Sequence, residues 1–318
     1  GGPSGYTAGP WACDGGNQET ATTVTLAVGE AATCTLTNDD ILAEAQPINV
    51  GHSGAWFNPE TSGQGVLIDV EPVSQFMFLS WYTYTGANSA NPSQQQWFTA
   101  QGNYSGSSAV LGLYETLGGE FDDPQEVITT KVGEVTVTFS DCGNGQMAFD
   151  FDTGLQDVIP MQRLIPGSDD VCENLAGIAT EAVDINVGMD GAWFDPNTSG
   201  QGFFIDAHPA AADEDNYIFV SWFTFGDQTA SGQRWLTAQG GFAGSTSDIE
   251  VFETSGGSFN DPTAPENVKI GTMSLDFSDC NSARITYSLD SDSLQGEISV
   301  TRALPDSEAL CEGVNGTR

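Results

Sequence analysis

The stretch Gly54-Ala55-Trp56-Phe57-Asn58-Pro59-Glu60-Thr61-Ser62-Gly63-Gln64-Gly65 returns as Gly191-Ala192-Trp193-Phe194-Asp195-Pro196-Asn197-Thr198-Ser199-Gly200-Gln201-Gly202, with ten of twelve positions identical. A long-period copy decides the architecture before any local reading does. It divides the chain into two copies of one module, over residues 41–172 and 178–311, with a front segment 1–40 and a tail 312–318. Both modules open alike, with Pro47-Ile48-Asn49-Val50-Gly51 in the first and Asp184-Ile185-Asn186-Val187-Gly188 in the second. The join from Glu173 to Thr180 is short, so the modules are expected to lie close together without a flexible tether.

Inside each module the signals are strands and turns. Phe76-Met77-Phe78-Leu79-Ser80-Trp81-Tyr82-Thr83-Tyr84 is apolar on both alternate faces, as is its copy Tyr217–Phe225. Such a strand is expected to be covered on both sides. Val135-Thr136-Val137-Thr138-Phe139 and Met273-Ser274-Leu275-Asp276-Phe277 alternate, with one face inward. Asn144-Gly145 reads as a hairpin signal, and nothing carries helical periodicity over more than about two turns. Roughly eight strand candidates per module, joined by short Gly/Asn/Asp/Ser turns, give an all-β chain. Each module is then an antiparallel β-barrel or a β-sandwich, and both fit the strand count.

Each module also places Gly-x-Trp at its start (Gly54, Trp56; Gly191, Trp193) and an Arg in its last strand (Arg163; Arg302). This combination resembles the lipocalins. The resemblance implies a first-strand Trp stacked by a late Arg across the closed end of a barrel, where a guanidinium packs flat on an indole. Taken whole, the Gly-x-Trp…Ser-Gly-Gln-Gly…Trp module is similar to repeats in secreted proteobacterial proteins without assigned function. That similarity implies a location more than an activity.

The front segment reads as a short β-rich piece. Thr22-Thr23-Val24-Thr25-Leu26-Ala27-Val28 alternates as a strand with Val24, Leu26 and Val28 on one face; Gly29-Glu30 supplies a turn; Cys34-Thr35-Leu36-Thr37-Asn38 is a second strand. Residues 6–40 resemble the C-terminal end of the prealbumin-like (SpaA-type) β-sandwich modules of bacterial surface proteins. Two or three strands do not make a stable sandwich alone. Either upstream chain was trimmed away, in keeping with a start at Gly1 without Met, or a neighbouring chain supplies the missing strands.

Composition narrows the partners. Seven Lys and Arg stand against 44 Asp and Glu, a formal charge of -37. The field of such a chain repels nucleic acid and anionic membranes, and no run approaches the length of a membrane helix. The charge serves solubility and leaves calcium binding open. Among six cysteines, the repeat aligns Cys142 with Cys280 and Cys172 with Cys311. Self-contained modules then require Cys13–Cys34, Cys142–Cys172 and Cys280–Cys311. Disulfides persist outside the reducing cytosol, so the protein is expected outside the cell or on its surface.

The candidate sites are few. Trp56/Trp193, Trp81/Trp222 and Trp97/Trp235 pair across the modules. They read first as core, with Trp97 and Trp235 as a possible ligand platform for a glycan. Gly63 and Gly65 are expected in a positive-φ turn, with Gln64 and Gln201 satisfying backbone groups of that loop. The Thr-Ser-Gly-Gln-Gly run lacks the Lys and helix of a phosphate loop. His52 aligns with Met189 and His208 with Glu71, so both read as lone surface histidines without a duplicated catalytic role. Shared carboxylates are Asp69/Asp206, Glu115/Glu253, Asp123/Asp261 and Asp141/Asp279, a raw material for glycoside hydrolysis. Asp122, Asp123 and Asp261 sit in acidic turns with calcium-type oxygens. No Ser/His/Asp set or nucleophile elbow is present. The expectation is an extracellular structural or adhesive repeat protein, a non-enzyme that self-associates into fibres through its front segment. The alternative is a secreted carbohydrate-binding module or glycoside-active enzyme.

Overall fold

The computed structural model describes residues 6–20, 23–40, 46–86, 89–165, 167–168, 172, 184–198, 200–209, 216–226, 232–290, 293–304 and 311–312. The join at 173–180 and the tail from 313 onward lie outside the described residues. Two compact units result, Gly1–Ala45 and Gln46–Arg318. The named elements among the described residues are β-strands and short 3-10 turns.

In the front unit, β1 (Tyr6–Asp14) pairs antiparallel with β4 (Thr33–Asp40), and β2 (Asn17–Thr20) pairs with β3 (Thr23–Thr25). The expected strand 22–28 is cut short at Thr25. Leu26 and Val28 are exposed beside the Ala27–Glu30 turn, which a Glu30 N–H to Ala27 carbonyl bond closes. Cys13 and Cys34 face each other across β1 and β4 and form a disulfide.

The second unit holds two closed eight-stranded antiparallel barrels, which resolves the choice between barrel and sandwich. The first comprises β5 (Gly54–Phe57), β6 (Gly65–Glu71), β7 (Phe76–Tyr84), β8 (Gln95–Ser105), β9 (Ser108–Leu117), β10 (Ile128–Phe139), β11 (Asn144–Phe151) and β12 (Gln156–Arg163). The second repeats the order with β13 (Gly191–Phe194), β14 (Gly202–His208), β15 (Tyr217–Phe225), β16 (Gln233–Gly240), β17 (Thr246–Ser255), β18 (Glu266–Asp279), β19 (Ser282–Leu289) and β20 (Leu294–Arg302). Consecutive strands pair, and the last returns to the first: Arg163 sits opposite Trp56 and Arg302 opposite Trp193. Closure leaves no free sheet edge in either barrel.

Period-two alternation fills the barrels. Val135, Val137 and Phe139 point inward from β10, and Met273, Leu275 and Phe277 from β18. Asn144-Gly145 does not sit in a two-residue turn. It opens β11 after a longer loop, in which Asp141 Oδ1 accepts the Gly143 and Asn144 N–H groups.

One end of each barrel is shut by its own residues. The guanidinium of Arg163 lies 4.3 Å over the Trp56 ring and that of Arg302 lies 4.7 Å over Trp193. Arg163 donates to the carbonyls of Cys142, Ser53 and Gly51; Arg302 donates to those of Cys280, Asp190 and Gly188. Each Arg thus satisfies three backbone acceptors at a buried chain crossing. The Trp56 and Trp193 indoles donate to the His52 and Met189 carbonyls. The disulfides Cys142–Cys172 and Cys280–Cys311 tie the chain after β12 and β20 to the same end.

Candidate functional site

The duplicated motif meets its chemistry at the opposite end, and there it faces the other barrel. On β7 and β15 the side chains not inside a barrel join a third buried cluster between the two. Its members include Leu67, Tyr82, Tyr84 and Trp97 from the first barrel and Phe204, Phe223, Phe225 and Trp235 from the second. The doubly apolar strands are therefore covered by barrel core on one side and by the neighbouring barrel on the other.

Reciprocal polar contacts register the barrels. Gln95 Nε2 donates to the carbonyls of Trp235 (2.8 Å) and Thr254 (2.9 Å), while its Oε1 accepts the Trp235 N–H. Gln233 does the same to Trp97 and Thr116. The indole of Trp97 donates to the Thr224 carbonyl at 3.1 Å, and that of Trp235 to the Thr83 carbonyl at 3.3 Å. Every one of these bonds crosses from one barrel to the other and has a counterpart running back.

The loops between β9 and β10 and between β17 and β18 complete the exchange. Phe121 leaves the first barrel and enters the second, 4.8 Å from Trp222 and 5.8 Å from Tyr287. Phe259 enters the first, 5.2 Å from Trp81 and 5.6 Å from Phe149. Each barrel mouth is stoppered by a phenylalanine of the other. Gln201 fixes the Phe121 loop by donating to the Glu120 carbonyl (2.8 Å) and accepting the Asp122 N–H (3.1 Å). Gln64 holds the Phe259 loop through the Ser258 carbonyl and the Asn260 N–H. Thr83 and Thr224 hydroxyls donate to these glutamines and orient them. The glutamines thus satisfy backbone groups of the other module's loop, which corrects the expectation that they serve their own.

Glycine supplies the close approach. A Cβ on Gly119 would lie 2.1 Å from the Phe225 ring, and one on Gly257 would lie 2.1 Å from Tyr84. Gly63 adopts φ +79 and Gly200 φ +80, as turns of that hand require. Gly65 does not share the positive φ; a Cβ there would instead meet the Trp56 carbonyl at 2.9 Å.

Asp69 and Asp206 lie in this layer, 2% exposed each. Asp69 Oδ2 accepts the Ala192 N–H at 2.9 Å, and Asp206 Oδ2 accepts the Ala55 N–H at 2.7 Å. Burial pushes the Asp69 carboxyl up to about 7, against the Ala192 N–H and Arg302, which favour the charged form. Burial also raises Asp206 and Asp190; the Asp206 charge raises Asp190 further, while Arg163 acts on both in the opposite sense.

The remaining candidates fall elsewhere. Trp97 and Trp235, considered as a ligand platform, are 1% and 2% exposed between the barrels, where Trp235 also forms part of the wall of a pocket. His52, expected at the surface, is fully buried, 4.3 Å from Phe139, and its Nδ1 accepts the Asn49 N–H. Burial first, and then the Arg163 charge, lower its pKa to about 4. Met189 fills the same place in the second barrel. Asp122 accepts the Tyr287 hydroxyl at 2.7 Å, Asp123 the Gln125 amide, and Asp261 the Thr263 N–H and hydroxyl. Asp261 thus caps its own turn, whereas the Asp122 bond crosses to the other barrel. Among the described residues, the metal-type ligand atoms that cluster in threes are those of His52, Cys142 and Cys172, and both sulfurs belong to a disulfide.

Reading residue types missed Gln95, Gln233, Phe121 and Phe259. A signal was available: Gly118-Gly119-Glu120-Phe121-Asp122-Asp123-Pro124 and Gly256-Gly257-Ser258-Phe259-Asn260-Asp261-Pro262 each set one phenylalanine in a polar turn. A lone aromatic repeated in an otherwise hydrophilic loop has to be buried against something.

Residues 1–36 match the family model SpaA_2, a prealbumin-like fold domain. No curated protein matches the chain.

Proposed function

We propose that the chain is an extracellular structural or adhesive repeat protein, a subunit of a surface fibre. In this reading the barrel pair is a rigid body and the front segment carries the links between subunits. The observation that carries it is the reciprocal stoppering: each barrel's mouth, where a barrel of this size would take up a ligand, is filled by Phe121 or Phe259 of the other. The duplicated motif is then spent on holding the barrels together, and the chain is not an enzyme. Three disulfides and the prealbumin-like match at the front support a place outside the cell.

In this reading, the strands of the front unit pair only two by two, and a strand donated by a neighbouring chain completes them. Such a head-to-tail contact does not close on itself and propagates a fibre. Negative-stain electron microscopy and light scattering of residues 1–318 should show filaments or a concentration-dependent rise in mass, abolished by deleting residues 1–40. A chain that stays monomeric at high concentration overturns the fibre reading.

A further inference from the structure

The shut ends of the two barrels are built alike around a disulfide and differ in the side chain that lies against it. Cys142, Cys172, Cys280 and Cys311 are all buried, so exposure does not choose between the two bonds. The Asn49 amide stands 3.6 Å from Cys172 Sγ, and the Asn186 amide 3.7 Å from Cys311 Sγ. Arg163 and Arg302 donate to the carbonyls of Cys142 and Cys280. Contacts shared in this way cancel when one bond is compared with the other.

One contact does not cancel. The two ring nitrogens of His52 lie 3.6 and 3.8 Å from Cys172 Sγ. In the second barrel the thioether of Met189 takes that place, its Sδ 3.7 Å from Cys311 Sγ. A disulfide carries no charge and asks little of either neighbour. A thiolate asks much more, because burial penalises its charge. An imidazole N–H answers by donating to the sulfur, and the other ring nitrogen is able to take up a thiol proton. A thioether does neither. Fully buried, with its pKa lowered to about 4, the His52 ring is neutral at neutral pH and keeps one N–H.

We propose that Cys142–Cys172 is a thiol–disulfide exchange site, open to a thiol or dithiol reductant, while Cys280–Cys311 stays closed under the same conditions. His52 stabilises Cys172 as the leaving thiolate, so attack falls on Cys142. Cys142 is flanked in the β10–β11 loop by the exposed Asp141 and Asn144. A reductant thiolate bonds to Cys142 Sγ, the bond to Cys172 breaks, and Cys172 Sγ leaves with the electron pair beside His52. A second thiolate then takes the reductant's sulfur from Cys142. Two reductant thiols are thereby oxidised to a disulfide and the two cysteines are reduced. Cys172 ends the first module, so opening this bond unties the first barrel from the chain that leads on to the second. The site is independent of the front segment and of fibre formation.

The test is a titration of the full chain at neutral pH with dithiothreitol buffers of graded oxidised-to-reduced ratio, quenched by alkylation and read by peptide mapping. Cys142 and Cys172 should become labelled at a ratio at least about tenfold more oxidising than Cys280 and Cys311. His52→Met should erase that interval, and Met189→His should bring the second pair to the first. The pair Cys13–Cys34, whose Cys34 is exposed, is followed separately. With glutathione, a monothiol, the first mixed disulfide in the barrels should form on Cys142. Labelling of both barrel pairs together in the parent, an interval that either variant leaves unchanged, or a first adduct on Cys172 overturns the proposal. Should His52→Met fail to fold, Met189→His decides alone.

Discussion

The two barrels are built from the same parts but agree and differ in different places. They agree wherever a side chain of one must meet the backbone of the other, at Gln64 and Gln201, Gln95 and Gln233, Trp97 and Trp235, and again where the rings of Phe121 and Phe259 enter the opposite mouth. They differ where each serves only its own barrel, as at His52 and Met189, or where symmetry asks nothing, as at Leu67 and Phe204. A motif of this kind marks a contact between copies. Without the second copy it would be taken for an active-site loop, because glycines, a polar amide and a tryptophan in a tight turn look alike in both roles.

The strongest way to break the symmetry is to remove a stopper. Phe121→Ala leaves Trp222 and Tyr287 facing a void, and Phe259→Ala does the same to Trp81 and Phe149. Each should cost about 2–4 kcal/mol, below the full range for a buried phenylalanine because both are only half-buried. Urea unfolding measures this. Because the two sites lie in different barrels, the double variant should show the sum unless the barrels unfold separately. A second, lower transition would mean that the stoppers are what makes one cooperative body of the two barrels. A neutral result in both single variants would mean that the mouths are not sealed in solution.

Next in size come the amides. Gln64→Ala and Gln201→Ala each strand a carbonyl and an N–H of the opposing loop, at about 1–3 kcal/mol. Equal losses are expected, and a large loss confined to one side would show that the loops are held unequally. Hydrogen exchange at Asp122 and Asn260, whose N–H groups these glutamines accept, should accelerate in Gln201→Ala and Gln64→Ala respectively.

Much of the barrel was legible because it rests on local rules. Alternation identified Val135–Phe139 as one-faced, duplication aligned the cysteines, and the pair of Trp56 with Arg163 pointed to barrel closure. The shared face was legible only as a question. Phe76–Tyr84 announces that both sides are covered, but nothing in nine residues says that Trp235, more than a hundred positions later, is what covers them. Gln64 looked local because glutamine so often serves its own turn; its partner loop at Ser258–Asn260 is distant in sequence and near only through the pairing of barrels. His52 was misjudged for the opposite reason. A single histidine without a copy suggests surface, whereas here its ring fills the place of Met189 and its nitrogen accepts the Asn49 N–H. In the front unit, the partner of β4 is β1, since the disulfide Cys13–Cys34 sits within that pair.

The smallest effect is also the finest comparison, because it sets a group inside one barrel against a group between the two. Burial holds the Asp69 proton up to about pH 7 instead of the ordinary 3.8. The folded chain therefore binds that proton more tightly than the unfolded chain. The stability it contributes is complete below about pH 4 and is lost as the pH rises through 7. Asp190 and Asp206, also raised, slope the same way. His52 runs against them. Its pKa falls from 6.5 to about 4, so the folded state prefers the neutral ring, and its contribution is complete above 6.5 and lost as the pH falls through 4. Over the same window the histidine's slope opposes that of the three carboxylates. His52→Met, the residue the second barrel uses, should remove the rising slope and make stability fall more steeply between about pH 4 and 7. Asp69→Asn keeps an oxygen for the Ala192 N–H but cannot ionise, and it should flatten the fall. Urea midpoints measured across that window distinguish the two variants by the sign of their departure from the parent. If both departed in the same direction, the carboxylate between the barrels and the histidine inside one would not be titrating in the environments the fold assigns them.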